Sequence, residues 1–243
     1  MNIIARWTIT SLLLSSVIFQ GAQAASDEAS LHNIVRDALS YGRTMNNLGP
    51  KLDQCYEFSL QNRPAARLPL MSNTSTLRNS AASWASGCNF AHSGWSGVGE
   101  NLFVGTTIAT SWTLENAIND WAYEARFVSY PNGASTVGCN DGSSGSTCRS
   151  KIGHYTQMVW QTTTQVGCAI QSCPNGVTNF SSKPSQLIVC HYSPQGNYVQ
   201  SLSGPYLAPY VGQGVVSPSQ ACSSGSPGSS GVILAPIMLL LND

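Results

Sequence analysis

The sequence predicts an α+β domain in which helices come first and strands come late. Apolar residues recur at helical spacing over about 27–45, 77–87 and 111–127, which predicts three amphipathic helices. Two later runs, 165–170 and 186–192, are typical of β-strands. The second run is almost continuously apolar, as in strands that are buried inside a layered domain.

Length and charge limit the classes of function. The chain has 243 residues, which fits one domain, and 42% of them are hydrophobic, enough to build a core. Lys and Arg together number 11, as do Asp and Glu, so the formal net charge is zero. A basic face that binds nucleic acid is therefore not expected.

The first 24 residues have the pattern of a secretory signal peptide. Arg6 precedes an apolar stretch over 9–19, and Ala22-Gln23-Ala24 supplies the small residues that a signal peptidase recognises. Such a stretch is too short to span a bilayer. The sequence therefore predicts a secreted, extracellular protein whose folded domain covers 25–210.

The cysteines and sequons fit secretion. An even number of cysteines in a secreted chain predicts disulfides, although their pairing cannot be deduced from sequence. No matched pair of CxxC motifs is present, so a structural zinc knuckle is not expected. Asn73 and Asn179 lie in sequons and are predicted glycosylation sites. The eight cysteines are Cys55, Cys88, Cys139, Cys148, Cys168, Cys173, Cys190 and Cys222.

Residues 211–243 form a Ser/Gly/Pro-rich linker followed by a short apolar tail. The tail runs from Val232 to Leu241 and is interrupted by Pro236, so it cannot cross a bilayer as a helix. Two interpretations stay open. The tail is either the signal for a glycosylphosphatidylinositol (GPI) anchor, which would hold the protein at the cell surface, or a disordered end.

Four residues carry the chemistry of a candidate site: His92, Glu100, Glu124 and His154. Glu124 lies three residues after Trp121, close to the apolar stripe of the third helix, where an unpaired carboxylate is costly. Two imidazoles and two carboxylates can bind Zn²⁺ or another divalent metal, or act as acid–base pairs. On spacing alone, a structural hydrogen bond to nearby backbone amides is the favoured explanation for each glutamate.

The other two histidines are predicted to have no role in the site. His32 lies off the apolar stripe of the first helix, which indicates a surface or capping residue. His191 lies inside the second strand, where a hydrogen-bonded structural role is expected.

Five segments in this order resemble the CAP superfamily of cysteine-rich secretory, antigen 5 and pathogenesis-related proteins. In its signal peptide and its many cysteines, the chain is most similar to the secreted venom-allergen-like proteins of parasitic worms. This resemblance implies an α-β-α sandwich with a central antiparallel sheet. It also implies a cleft in which His92, Glu100, Glu124 and His154 bind a divalent metal, often zinc. The segments are His32–Arg36, Cys88–Ser93, Gly99–Leu102, Gly153–Trp160 and Leu187–Asn197.

The resemblance also implies a binding protein for a small lipid, either a sterol or a fatty acid, and for extracellular or host proteins. The expected lipid contacts are Trp121, Tyr123, Phe127 and Tyr130. Core packing is the alternative for all four, and it is the favoured explanation for Trp121. No catalytic residue is assigned, because the sequence has no Gly-x-Ser-x-Gly elbow and no nucleophile oriented by a base. A metal-dependent hydrolase that uses the glutamates, or a lipid-anchored surface antigen without ligand, are the alternatives.

Overall fold

The computed structural model describes residues 27–41, 64–107, 110–129, 135–199, 201 and 204–211. The helices are α1 (Glu28–Tyr41), α2 (Ser75–Ala85), α3 (Leu114–Tyr123) and α4 (Gly145–Met158), and a 3-10 turn over Glu124–Phe127 continues α3. The strands are β1 (Ser72–Asn73), β2 (Gly99–Thr106), β3 (Val128–Ser129), β4 (Gly138–Cys139), β5 (Gln165–Cys173) and β6 (Ser185–Ser193).

Among the described residues, the main sheet has four strands in the order β1-β5-β6-β2. Strand β6 lies between β5 and β2 and is antiparallel to both. The two-residue strand β1 pairs with β5 in parallel, so the sheet is antiparallel except at this edge. Strands β3 and β4 form a separate two-stranded ribbon.

Helices cover both faces of the sheet. On β6, Leu187 and Val189 pack into a cluster with Ala81 and Ala85 of α2. The alternate residues of β6, such as Ile188, pack into the larger cluster with α1, α3 and α4. Because β6 is buried on both faces, its sequence is continuously apolar and not alternating. The predicted three-layer α-β-α sandwich is confirmed.

Helix α3 shows how local sequence sets its boundaries. The Thr113 side chain accepts a hydrogen bond from the Asn116 backbone N–H, and the Asn116 side chain accepts one from the Thr113 N–H. This capping box fixes the start of the helix at Leu114, three residues later than the predicted Ser111. The predicted apolar stripe is buried, and Trp121 lies at its centre.

The sequence does not predict two of the longer elements, α4 and β2, or the two-residue strands β1, β3 and β4. Helix α4 has no apolar stripe, because Ile152–Met158 is buried on every side, polar residues included. Strand β2 begins with Gly99-Glu100-Asn101, which does not look like a strand out of context. The predicted part of the first helix beyond Tyr41 lies outside the described residues.

Three disulfides connect the described elements: Cys88–Cys173, Cys139–Cys148 and Cys168–Cys190. The predicted use of cysteines in disulfides is confirmed for these six. Cys55, Cys222, the predicted signal peptide and the apolar tail lie outside the described residues. Within the described part of the chain, no helix combines the length and hydropathy that crossing a membrane requires.

Candidate functional site

Glu124 and His154 form a fully buried pair. His154 lies on α4 and Glu124 begins the 3-10 turn after α3, and the two side chains are 0% and 3% exposed. His154 Nδ1–H donates to Glu124 Oε1 at 2.6 Å, and the Tyr155 backbone N–H donates to Glu124 Oε2 at 2.9 Å. The carboxylate near the core face is therefore paired, as the sequence required.

The other side of the His154 ring is not satisfied. The indole of Trp121 stacks on this ring with centroids 5.7 Å apart and planes 14° apart. His154 Nε2 is buried and has no hydrogen-bond partner among the described residues. A neutral imidazole that donates through Nδ1 carries its lone pair at Nε2, so the orphaned atom is an acceptor or a metal ligand.

His92 and Glu100 form the second pair. His92 Nδ1–H donates to Glu100 Oε1 at 2.7 Å, and the Ser93 backbone N–H donates to the same oxygen at 2.9 Å. His191 Nε2–H donates to Glu100 Oε2 at 2.8 Å. Glu100 is thus held between two imidazoles. Its hydrogen bonds link the loop that carries His92 with strand β6, which carries His191.

The pKa values of the two carboxyl groups are shifted in opposite directions. Burial raises the pKa of Glu100, but the hydrogen bonds from His191, His92 and Ser93 outweigh it and lower the pKa to about 2. Burial raises the pKa of Glu124, and this effect outweighs the stabilising contacts from His154 and Tyr155. Glu100 is therefore a fixed anion at neutral pH, which makes it unsuitable as a general acid.

A cleft of about 180 Å³ opens beside the His92–Glu100 pair. Both residues line it, together with Trp95 and Gln157. Glu124 and His154 are not among its lining residues in the described part of the chain. Of the two predicted pairs, His92–Glu100 therefore lines the cleft, whereas Glu124–His154 is buried and does not line it.

The two pairs are joined through β2. The Asn101 side chain donates to the His154 carbonyl and to the Tyr192 hydroxyl, at 3.1 Å in both cases. The Tyr192 hydroxyl lies 2.7 Å from His32 Nε2, and His32 Nδ1–H donates to the Glu28 carbonyl at 2.6 Å. Because Asn101 follows Glu100 directly, this buried network ties α1 and α4 to the strand that carries the cleft pair.

The interpretation of His32 as a surface or capping residue is wrong. His32 is fully buried at the layer boundary, where burial lowers its pKa to about 4. Its position off the apolar stripe reflects a hydrogen bond to Tyr192 on the sheet, and sequence spacing does not show a contact that is so distant in the chain. His191 has the expected hydrogen-bonded role, but its contact with Glu100 also joins it to the site.

The two signature segments of the sequence interlock. Asn197 donates from Nδ2 to the Gly153 carbonyl at 2.7 Å and accepts from the Thr156 hydroxyl at 2.7 Å. Gln157 accepts from the Gly196 N–H at 2.8 Å, and its Oε1 would lie 2.2 Å from a Cβ at Gly99. A side chain at residue 99 would therefore displace Gln157 from the wall of the cleft.

The expected lipid contacts occupy different environments. Trp121 is fully buried and its indole N–H donates to the Leu102 carbonyl at 3.3 Å. Tyr123 and Phe127 are half-buried, and the Arg126 guanidinium lies 3.7 Å and 4.3 Å from their ring centroids. Tyr130 lies outside the described residues.

The two sequons are exposed. Asn73 Oδ1 accepts a hydrogen bond from the Ala29 N–H at 2.8 Å, and its side-chain nitrogen is the atom that a glycan would occupy. Asn179 has a positive φ of 66° in a turn and donates to Asn89 at 3.0 Å. Glycosylation at either residue stays a prediction.

A three-layer domain whose elements are linked by disulfides is typical of proteins that fold in an oxidising, extracellular environment. This chain belongs to the cysteine-rich secretory protein family, CAP, whose family model matches residues 29–192. Members of the family are typically secreted, and the three disulfides fit an extracellular location.

The chain is similar to several named proteins. It is 35% identical over 159 residues to GLIPR1-like protein 1 of Bos taurus, which covers 61% of this chain and 56% of that protein. It is 35% identical over 134 residues to cysteine-rich secretory protein 1 of Mus musculus, which covers 53% and 47%. The chain thus spans about half the length of these relatives.

Solved structures with a related fold include venom-allergen-like proteins of parasitic worms. Schistosoma mansoni venom allergen-like protein 4 is 23% identical, with a TM-score of 0.46, over 74% of this chain and 91% of that chain. The crystal structure of NaASP2 with Zn²⁺ is 25% identical, with a TM-score of 0.48, over 76% and 83%.

Proposed function

We propose that this chain is an extracellular, non-catalytic binding domain that holds a divalent metal ion, with His154 Nε2 as the principal ligand and His92, which lines the cleft, as the predicted second ligand. The observation that carries the proposal is His154 Nε2, a buried atom without a partner in a ring that Glu124 orients. Histidines that ligate metals usually donate their other ring N–H to a carboxylate. Glu100 orients His92 through the same ring atom.

The donor set fits two imidazole ligands better than four mixed ligands. The carboxylates of Glu100 and Glu124 already accept hydrogen bonds from the histidines, so they orient the rings and do not ligate. Within the described residues, no three His, Cys, Asp or Glu side chains are arranged so that they could together hold a metal ion. When bound, the ion would need waters or other ligands to complete its coordination.

Two features favour binding over catalysis. Family members are generally not enzymes, and the lowered pKa of Glu100 excludes it as a proton donor near neutral pH. Ser80 Oγ lies 2.7 Å from His191 Nδ1, an arrangement that resembles a serine–histidine–glutamate relay. Ser80 also donates to the Leu77 carbonyl, and neither Ser80 nor His191 lines the described cleft.

Zinc titration calorimetry of the secreted protein tests the metal site. We expect His154→Ala to abolish binding and Glu124→Gln to weaken it about 10- to 100-fold, since orienting carboxylates contribute that much to affinity. His32→Gln is the matched control, because His32 is a buried imidazole whose ring nitrogens bond the Glu28 carbonyl and Tyr192. Zinc affinity that is unchanged in a folded His154→Ala variant contradicts the proposal.

A small lipid is the second candidate ligand, and Arg126 favours a fatty acid over a sterol. Its exposed guanidinium lies over the half-buried rings of Tyr123 and Phe127, which places a cation beside apolar surface. Mass spectrometry of lipid extracted from the secreted protein identifies the ligand. Loss of bound fatty acid in Arg126→Ala supports this assignment, and equal retention in both proteins contradicts it.

We also propose that the chain is secreted and that it binds extracellular proteins. A GPI anchor on the C-terminal tail is the alternative to release. Treating expressing cells with a phosphatidylinositol-specific phospholipase distinguishes them, because only an anchored form is released by the enzyme.

A further inference from the structure

An exposed tryptophan forms part of the wall of the cleft beside His92 and Glu100. Trp95 lines this cleft and is 39% exposed, although its ring is held in place by two others. The Trp95 ring contacts the His191 ring edge-to-face at a centroid distance of 5.2 Å, and the Trp84 ring at 6.4 Å. An aromatic ring that is already fixed loses little conformational entropy when a ligand covers it.

The polar side chains of the cleft offer hydrogen-bond donors as well as acceptors. The Ser93 hydroxyl oxygen accepts from the Trp95 N–H at 3.4 Å, which leaves its O–H as a donor. Gln195 is half-buried and lines the same cleft, and within the described part of the chain no protein group bonds its amide. This amide can both donate to a ligand and accept from it.

The Glu100 carboxylate can accept one further hydrogen bond. A carboxylate has about four lone-pair positions. Oε1 accepts from His92 Nδ1–H and from the Ser93 N–H, whereas Oε2 accepts from His191 alone among the described residues. The remaining position on Oε2 therefore requires a ligand that has a hydrogen to donate.

The charges and hydrogen-bonding groups of the cleft select a neutral hydroxyl. In the described part of the chain, no Lys or Arg lines the cleft, so a sulfate, phosphate or carboxylate would face Glu100 without a cation to offset the repulsion. An ammonium group only donates, so it would leave the donors of Ser93 and Gln195 unmatched. A hydroxyl both donates and accepts, and it therefore matches the whole set.

The size of the cleft limits the ligand to a single ring. The cleft has a volume of about 180 Å³, whereas pockets that enclose drug-sized ligands have about 300–1,000 Å³. A sterol or an acyl chain is therefore too large, and an extended peptide is usually recognised along several residues. Trp95 is the most exposed apolar side chain in the wall, so the ring needs one apolar face.

We propose that this cleft binds one pyranose unit of a neutral saccharide. The C–H face of the sugar stacks on Trp95, because the face of an aromatic ring is electronegative and the sugar C–H hydrogens are electropositive. The sugar hydroxyls donate to Glu100 and exchange hydrogen bonds with Ser93 and Gln195. The saccharide site is independent of the proposed metal site, since it needs no ion and His154 does not line the cleft.

Ligand-observed NMR titration of the full secreted chain in a chelator tests for the saccharide. The neutral probes are the methyl glycosides of glucose, galactose, mannose and N-acetylglucosamine. Methyl glucuronide, choline and N-acetyl-triglycine amide are the anionic, cationic and peptide probes. We expect at least one neutral glycoside to bind more tightly than these three. If no neutral glycoside binds, or if one of the other probes binds more tightly than all of them, the proposal is overturned.

Substitutions at Trp95 test the stacking. We expect Trp95→Ala to raise the Kd of the bound glycoside at least about tenfold, and Trp95→Phe to raise it less, because an aromatic ring remains. Tyr198→Ala is the matched control, since Tyr198 is 47% exposed and is not among the residues that line the described cleft. A Kd that is unchanged in a folded Trp95→Ala variant contradicts the stacked site.

Gln195→Lys tests the polar contacts. The added cation offsets the repulsion from Glu100, so methyl glucuronide should bind at least about tenfold more tightly to this variant than to the unmodified chain. Equal affinity for methyl glucuronide in the two proteins overturns the placement of the sugar beside Gln195. Because every titration contains a chelator, failure here is separate from failure of zinc binding, which His154→Ala reports.

Discussion

The two histidine–glutamate pairs use the same hydrogen bond in opposite environments. His154 and Glu124 are sealed between α3, α4 and the sheet, whereas His92 is 22% exposed at the rim of the cleft. Glu100 has a second imidazole partner, His191, and its pKa is lowered, whereas the pKa of Glu124 is raised by burial. The comparison shows that burial and the number of partners, and not residue type, decide how each pair behaves.

The largest expected effect comes from breaking the buried pair. His154→Ala removes a ring that stacks on Trp121 and leaves the Glu124 carboxylate buried without its partner. We expect a loss of about 3–5 kcal/mol in the free energy of unfolding, as for other broken buried pairs. His92→Ala should cost about 1 kcal/mol, because water reaches that pair. Urea denaturation measures both, and equal losses would mean that the environments do not differ as described.

A third imidazole, which has no carboxylate partner, extends the comparison. The pKa of His32 is lowered from 6.5 to about 4, so the unfolded chain binds the proton more readily than the folded one. The stability from keeping His32 neutral is complete above pH 6.5 and is lost as the pH falls toward 4, by about 3 kcal/mol.

Urea denaturation between pH 7 and 4 checks this prediction by comparing the chain with His32→Gln. The variant retains a polar side chain but cannot titrate in this range. The difference in unfolding free energy between the two should shrink by about 3 kcal/mol across the window. Parallel curves would show that His32 does not cause the pH dependence.

Tyr192→Phe tests the link between the pairs. It removes the hydroxyl that joins His32 to Asn101 and leaves two buried polar groups with one partner fewer. We expect a loss of about 2 kcal/mol. Asn101 also holds the His154 carbonyl, so the tryptophan fluorescence of Trp121 should change with it. If the free energy of unfolding is unchanged, the Tyr192 hydrogen bonds do not contribute to the stability of the domain.

The smallest effect is expected at Ser80, which contacts His191 through the ring nitrogen that does not bond Glu100. Ser80→Ala removes the hydroxyl near His191 without touching Glu100 or His92, and should cost about 1 kcal/mol. The chemical shifts of the His92 ring report whether the change reaches the cleft. If Ser80→Ala lowers the free energy of unfolding as much as His154→Ala does, the Ser80–His191 contact is as important for stability as the buried pair.

Sequence alone determined the features that depend on short-range pattern. The apolar stripe of α3, the two long strands and the use of cysteines in disulfides follow from periodicity and composition, and the structure confirms them. The signature segments contain His92, Glu100 and His154, whereas Glu124 is indicated only by the shorter Trp121-x-x-Glu124 pattern.

Only the tertiary structure decided which side chains meet. Helix α4 is buried on every side, so it has no periodic stripe, and His32 has a partner 160 residues away. The division of the site into a sealed pair and a cleft pair depends on layer packing across β2 and β6. Such contacts join residues that are distant in the chain, and local spacing carries no information about which distant side chains will satisfy a buried polar atom.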